Sequence, residues 1–285
     1  MTKICLSIAG LDPSGGAGVI ADVKAFEAFG CFATAAISSI TFQNTTGVFG
    51  AVHQTAETVR QQVQPVIDDF DIVAVKTGML PTREIIVEVA DLIRNNKLTN
   101  IVVDPVVRST SGFDLIDNEA LKSLIEHLFP LADIVTPNIP EAERISGVAI
   151  ESEQDIIDAA SVMREMGARN VLIKGGHSNS GQWSVVSGQL SEPGAVATGS
   201  LRRATDFLFM GEELVKIDDE YHETTATHGT GCTLSSAIAA NLALGHALAD
   251  AVTIAKAFVN QAIRTAPNLG HGNSPINITS TLDGS

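Results

Sequence analysis

The sequence predicts an α/β fold, a three-layer α/β/α sandwich around a mainly parallel central sheet. Two observations carry this reading. Short β-branched runs alternate with stretches of 3.6-residue hydrophobic periodicity as far as about residue 263, the order that builds βαβ units and a sheet covered on both faces. Neither a Pro/Ser linker nor a charge block interrupts the 285 residues, so 1–285 reads as one domain.

In order along the chain, residues 4–8 form the first strand. In 17–29 the apolar positions Val19, Val23 and Phe26, with Ile20 beside them, make one helical stripe, and Gly30 stands where a helix stops. Strands are expected at 71–75, 100–103, 133–136 and 170–173, interleaved with helical patterns at 82–94, 118–128 and 153–166. Segment 181–214 breaks the rhythm. Its strand-like pieces at 183–186 and 207–210, with Gly and Ser between them, suggest antiparallel strands that elaborate one edge of the sheet. Helical patterns return at 236–244 and 247–263, and 266–285 reads as a tail free to move.

Composition narrows the function. Eighteen Lys and Arg against 33 Asp and Glu leave a net charge of −15, which repels nucleic acid and anionic membrane alike. Any phosphate must be held locally, by backbone N–H groups, a few placed cations or a metal. Three cysteines, at 5, 31 and 232, exclude a disulfide framework and a multi-cysteine zinc site. The apolar stretch at the N-terminus is too short for a signal sequence, and no apolar run is long enough to span a bilayer. A cytoplasmic protein with a small-molecule substrate is the expectation.

In parallel sheets ligands sit beyond the carboxyl ends of the strands, so the chemistry is sought in those loops. The first is Ala9-Gly10-Leu11-Asp12-Pro13-Ser14-Gly15-Gly16-Ala17-Gly18, whose glycines let backbone approach a ligand closely. It carries neither the dinucleotide spacing nor a Gly-Lys-Ser/Thr ending, and a plain tight turn explains it as well. The strongest local signal is His228-Gly229-Thr230-Gly231-Cys232-Thr233 before a stretch of small and apolar residues. Gly229, Thr230 and Gly231 at a helix N-terminus aim unpaired N–H groups at one point, an anion hole suited to a transferring phosphoryl group. Cys232 stands in the same field, which is expected to lower its pKa toward a thiolate. Cys5 and Cys31 read as inert core residues.

Two strands end in carboxylates, Val103-Asp104-Pro105 and Thr136-Pro137-Asn138-Ile139-Pro140-Glu141. Asp104 and Glu141 can hold Mg²⁺ near nucleotide phosphates, although each could equally serve a helix N-terminus. Lys174, before Gly175-Gly176-His177, reads as a phosphate partner, while Lys76, before Thr77-Gly78-Met79, is less telling. Gln43, between two strand-like runs, offers a carboxamide that could read a heteroaromatic ring. The remaining histidines, His53, His127, His222, His246 and His271, have no metal-binding spacing and read as surface residues.

Together these motifs, with Ala21-Asp22-x-Lys24, Gln43-Asn44-Thr45 and Lys76-x-Gly78-Met79-Leu80, resemble hydroxymethylpyrimidine/phosphomethylpyrimidine kinases of thiamine biosynthesis, over about residues 3 to 265. The resemblance implies a ribokinase-like fold, a homodimer, and transfer of phosphate from ATP with Mg²⁺. The acceptor would be the hydroxymethyl group of 4-amino-5-hydroxymethyl-2-methylpyrimidine, and then the resulting monophosphate. It implies Cys232 as the catalytic base, with Gly229, Thr230 and Gly231 as the anion hole. Gln43, Gly10, Asp22 and Met79 would contact substrate, Lys174 and Thr230 the nucleotide, and Asp104 and Glu141 the nucleotide and metal. Arg108 stands where that family usually has an apolar residue. Pyridoxal and pyridoxine kinases of the same superfamily are the runner-up, and a non-catalytic pyrimidine-binding protein is the reading from another class.

Overall fold

Nine strands pair into one sheet in the computed structural model, which describes residues 2–107, 115–176, 184–186, 189–191 and 203–278. Arg108, Trp183 and the far end of the tail lie outside these residues. In chain order the strands are β1 (Ile4–Leu11), β2 (Phe32–Asn44), β3 (Gly47–His53), β4 (Ile72–Thr77), β5 (Ile101–Val103), β6 (Ile134–Val135), β7 (Asn170–Ile173), β8 (Ser184–Val186), β9 (Gln189–Ser191), β10 (Arg203–Met210) and β11 (Glu213–Glu220). The sheet runs β11-β10-β7-β6-β5-β4-β1-β2-β3, and β8 pairs with β9 apart from it. From β7 to β2 every pairing is parallel, while β3, β10 and β11 add antiparallel edges.

The helices are α1 (Gly18–Ala28), α2 (Ala56–Asp69), α3 (Arg83–Asn95), α4 (Asn118–His127), α5 (Ile139–Ser146), α6 (Glu153–Glu165), α7 (Thr230–Ala243) and α8 (Leu248–Arg264). Helices α2 to α6 cover one face of the sheet and α1, α7 and α8 the other. Strand alternation divides the core between them. Ile101 and Val103 point to the first layer and Val102 to the second, and Val171, Ile173 and Leu172 divide likewise.

This architecture fixes where a ligand can bind. The chain leaves β1 through α1 to β2 on one side, whereas β4 lies on the other side of β1. At that reversal the connecting segments part and leave a crevice beyond the strand carboxyl ends.

Four features depart from the sequence reading. α2 was not expected, because only Val59 and Val63 of this helix are buried and Pro65 lies inside it. α5 has only 8 residues, too few for periodicity, and is set by a capping box between Asn138 and Glu141. The edge elaboration extends beyond 214, since β11 reaches Glu220. The tail does not run free as far as it is described: Ile276 and Ile278 are buried in the α1/α7/α8 layer, and the Asn277 N–H donates to the Ala262 carbonyl at 2.9 Å. Two apolar residues among polar ones carry no periodicity, which is why the sequence did not show it.

This docking has a measurable cost. Ile276→Ala should destabilise the fold by about 2–5 kcal/mol in urea unfolding, as for other buried isoleucines; a loose tail would lose nothing.

Candidate active site

The crevice is a cavity of about 850 Å³ whose walls come from the loops after β1, β4, β5, β6 and β7, the β2–β3 hairpin and the start of α7. Gly10, Gln43, Met79, Asp104, Glu141, Lys174, Gly229, Thr230, Gly231 and Cys232 all line it. Residues scattered from 10 to 232 are therefore brought to one place, as the sequence reading requires.

Gly229 opens α7 with φ 85°, a conformation that favours glycine, and a Cβ there would lie 1.7 Å from the Gly16 carbonyl oxygen. The first glycine loop and the α7 loop thus touch backbone to backbone. No side chain caps α7, and the N–H groups of Gly231 and Cys232 find no partner among the described residues. α1 also lacks a side-chain cap, and its first residue, Gly18, donates its N–H toward the Cys232 sulfur. Two helix N-termini therefore converge on Cys232.

The expected thiolate does not follow. Burial pushes the Cys232 thiol up to about 11, with Asp104 and Asp22 adding to the rise, and the Lys76 charge and the Gly18 N–H only partly offset it. Helix dipoles act on an anion that has first lost its water, and here the lost hydration is the larger effect.

Asp22 is not in the cavity wall. It is fully buried, and its carboxylate accepts from Ser7 Oγ (2.6 Å), Ser236 Oγ (2.7 Å) and Lys76 Nζ (2.8 and 2.9 Å). Its acceptor capacity is spent on protein, so direct substrate contact is corrected to support of Lys76. Lys76 lines the cavity although it is itself fully buried, and despite that burial the Asp22 charge beside it raises its pKa. The sequence reading undervalued it. A lysine inside the apolar strand Ile72–Thr77 has to be paired, and that was the available signal.

Lys174 Nζ lies 3.1 Å from Asp104 Oδ1; the aspartate is buried and the lysine half-buried. Burial pushes Glu141 up to about 7, with Lys174 pulling down and Asp104 pushing up. Its Oε2 also accepts from the Asn138 N–H at 2.8 Å, closing the capping box. Glu141 thus serves its helix and faces the cavity at once, so the two alternatives open in the sequence do not exclude each other.

Further groups were missed. Asp206 of β10 accepts from the Gly175 N–H (2.9 Å) and from Lys256 Nζ (2.7 Å), and all three residues line the cavity. The antiparallel edge thereby holds the glycine pair after Lys174. His228 Nε2 lies 2.7 Å from Asp12 Oδ2, joining the two glycine loops through side chains as well. Burial would raise the Asp12 pKa, but hydrogen bonds from His228 and Ser14 outweigh it and hold the carboxyl down at about 2. These partners are 50 and 216 residues apart, and nothing local marks their pairing. Gln43, by contrast, lines the cavity, and its carboxamide has no hydrogen-bond partner among the described residues.

Comparison with known proteins gives a consistent result. A family model described as phosphomethylpyrimidine kinase matches residues 12–277. A hydroxymethylpyrimidine/phosphomethylpyrimidine kinase of Rhizobium meliloti is 43% identical over 279 residues, 97% of each chain. The solved phosphomethylpyrimidine kinase of Clostridium difficile superposes with a TM-score of 0.74 at 37% identity, covering 92% of this chain and all of its own. An ADP complex of Bacillus subtilis pyridoxal kinase superposes at 0.83 with 32% identity, covering 98% of both chains.

The state of Cys232 can be read directly. Alkylation of this thiol in the free protein should accelerate about tenfold per pH unit up to a midpoint of about 11, because only the thiolate reacts. A midpoint near 7 would mean that the helix termini prevail over burial.

Proposed function

The chain belongs to the phosphomethylpyrimidine kinase family, whose ribokinase-like fold it shares, and from that premise we propose that it phosphorylates 4-amino-5-hydroxymethyl-2-methylpyrimidine and then its monophosphate, with ATP as donor, in thiamine biosynthesis. The observation that carries the reading is one cavity that holds a Gln43 carboxamide and the N–H groups of Gly231 and Cys232, none of them with a partner among the described residues. The carboxamide can pair with an exocyclic amine and the adjacent ring nitrogen, while the N–H groups can take phosphoryl oxygens. Gly10, whose missing side chain leaves room beside Met79, and Met79 itself would flank the ring.

In the first transfer the alcohol oxygen bonds to the γ-phosphorus, the bond from that phosphorus to the β-γ bridging oxygen breaks, and ADP leaves. The alcohol proton passes to Cys232, whose small ionised fraction serves as the base. Gly229 to Cys232 stabilise the charge on the group in flight, and Thr230 and Lys174 hold the nucleotide phosphates. In the second transfer the nucleophile is already a phosphate oxygen, so no base is needed. Asp104 and Glu141 fit Mg²⁺: they are two buried oxygen donors with Lys174 as the cation beside them, an excess of negative charge that a divalent ion relieves. When bound, Mg²⁺ neutralises phosphate charge.

The whole chain acts as one kinase domain in the cytoplasm, and its partners are small molecules rather than nucleic acid or membrane, in keeping with the net charge of −15. It works as a homodimer. Ile40, Phe42, Phe49 and Val52, on the outer side of the β2–β3 hairpin, are exposed hydrophobics that a second copy would cover. Light scattering should give twice the chain mass, and Phe42→Glu with Phe49→Glu should give the monomer.

The pyridoxal kinase reading is kept because the Bacillus subtilis enzyme superposes more closely than the phosphomethylpyrimidine kinase does. Ring-edge chemistry decides between them, since a pyridoxine ring leaves the Gln43 amide half-paired. That loss, about 1–3 kcal/mol, corresponds to a preference of roughly ten- to a hundredfold. Kinetics with both alcohols test this. kcat/KM for the aminopyrimidine should be higher, and Gln43→Leu should erode the difference; equal or greater activity on pyridoxine or pyridoxal would overturn the substrate, and no turnover of ATP would leave only a binding protein.

The base has its own signature. Cys232→Ala should slow the first phosphorylation by about 100-fold or more and the second far less. The first should also rise with pH toward about 11, as a base raised by burial requires, while the second stays comparatively flat.

A further inference from the structure

The segment after α8 touches both walls of the cavity. Its far end is anchored in the core by Ile276 and Ile278. Just before that anchor, the His228 N–H donates to the Ser274 carbonyl at 3.2 Å, and His228 and Pro275 form a parallel bridge, so the segment lies along the loop that leads to Cys232. Its near end closes on Thr45, at the tip of the β2–β3 hairpin. The N–H groups of His271 and Gly272 donate to Thr45 Oγ1 at 3.2 and 3.3 Å, and the Asn273 N–H donates to the Thr45 carbonyl at 2.8 Å.

Three donors on one residue is a dense clasp, and two glycines make it possible. A Cβ on Gly272 would lie 2.1 Å from the Thr45 carbonyl oxygen, and one on Gly270 would lie 2.2 Å from Thr45 Oγ1. Gly270 also has φ 81°. The hairpin is the outermost part of the sheet, joined to it only through β2 and β1. Without a second tie its tip would answer to nothing near α7. Gln43 and Cys232 must nevertheless hold opposite ends of one small ring in reacting geometry, where a displacement of about 1 Å costs on the order of a hundredfold in rate.

We infer that residues 269–275 are a clasp that sets the height of the Gln43 hairpin above the Cys232 loop, with Thr45, Gly270 and Gly272 as positioning residues for the phosphoryl transfer. The inference rests on the reaction proposed above. It also gives the glycines of Leu269-Gly270-His271-Gly272 a purpose that no catalytic or binding role had supplied. The clasp touches the aminopyrimidine side and not the Asp104, Glu141 and Lys174 side, so its loss should separate the two substrates.

Steady-state kinetics and amide exchange on Thr45→Val, Thr45→Ser and Gly272→Val test it. Thr45→Val keeps the shape and removes the acceptor; it should lower kcat/KM for the aminopyrimidine alcohol about tenfold while KM for ATP stays within about twofold. Thr45→Ser restores the acceptor and should restore the rate, and Gly272→Val should lose more than Thr45→Val. Exchange of the His271 and Gly272 amides, which lose the Oγ1 acceptor, should quicken in Thr45→Val, with the melting temperature held. A wild type inactive on the alcohol would sink the reaction itself. With an active wild type, unchanged exchange and kinetics in Thr45→Val, equal losses toward ATP, or failure of Thr45→Ser to recover would each overturn the clasp.

Discussion

A lysine and an aspartate with no solvent exposure at all sit beneath the active site, and the elements around it are fixed by their need for each other. Lys76 belongs to β4, Asp22 to α1, and the two hydroxyls that complete the carboxylate come from β1 and α7. Removing either charge would leave the other buried alone, at a cost of about 3–5 kcal/mol. These four elements flank the place where the sheet reverses direction. The pair therefore fixes the floor of the cavity, and both helix N-termini that meet at Cys232 are built on it.

The same device recurs around the cavity. Lys76 with Asp22, Lys174 with Asp104 and Lys256 with Asp206 are three lysine–aspartate pairs with little or no exposure, on three different strand ends or their neighbours. In a chain of net charge −15 the outer surface repels a nucleotide, and attraction has to be local. Pairing keeps the Lys76 and Lys174 ammonium groups charged while the site is empty of phosphate, which an isolated buried lysine would not manage. A phosphate that enters competes with an aspartate already in place, so the cations are preorganised and need no rearrangement to meet it.

How much of this the sequence disclosed depends on the range of the interaction. Alternation of strand and helix is local, and so are glycines at a helix start; the sheet, the uncapped start of α7 and the loops bearing Asp104, Glu141 and Lys174 were all legible. Gln43 was legible because a carboxamide between strand-like runs is chemically distinctive. The interactions joining distant parts were not. Asp206 needs Lys256, Asp12 needs His228, and Thr45 needs a segment more than 220 residues on; each looks ordinary in its own neighbourhood. Asp22 was misplaced for the same reason, since a motif says that an aspartate matters and not which way it faces. The tail misled because two buried isoleucines among glycines, asparagines and serines have the composition of a loop.

Cys232 shows why position alone does not settle chemistry. The sequence reading extrapolated from the N-terminus of its own helix to a thiolate, and the structure adds a second helix N-terminus and a nearby ammonium that favour the anion too. Burial works against any anion, and the carboxylates that hold the lysines work against this one in particular. A thiol held at about 11 is ionised to about one part in ten thousand at pH 7, so in the resting site it is poorly nucleophilic and resists oxidation. Its conjugate base is correspondingly strong. In a loose phosphoryl transfer the acceptor oxygen becomes acidic only as its bond to phosphorus forms, so proton removal comes late and requires little driving force. In the proposed reaction the open N–H groups at the start of α7 and Lys174, which would act on the charge of the group in flight, therefore carry most of the catalysis. On that proposal the ionised fraction of Cys232 clears the proton at the end, a task that only the first of the two transfers has.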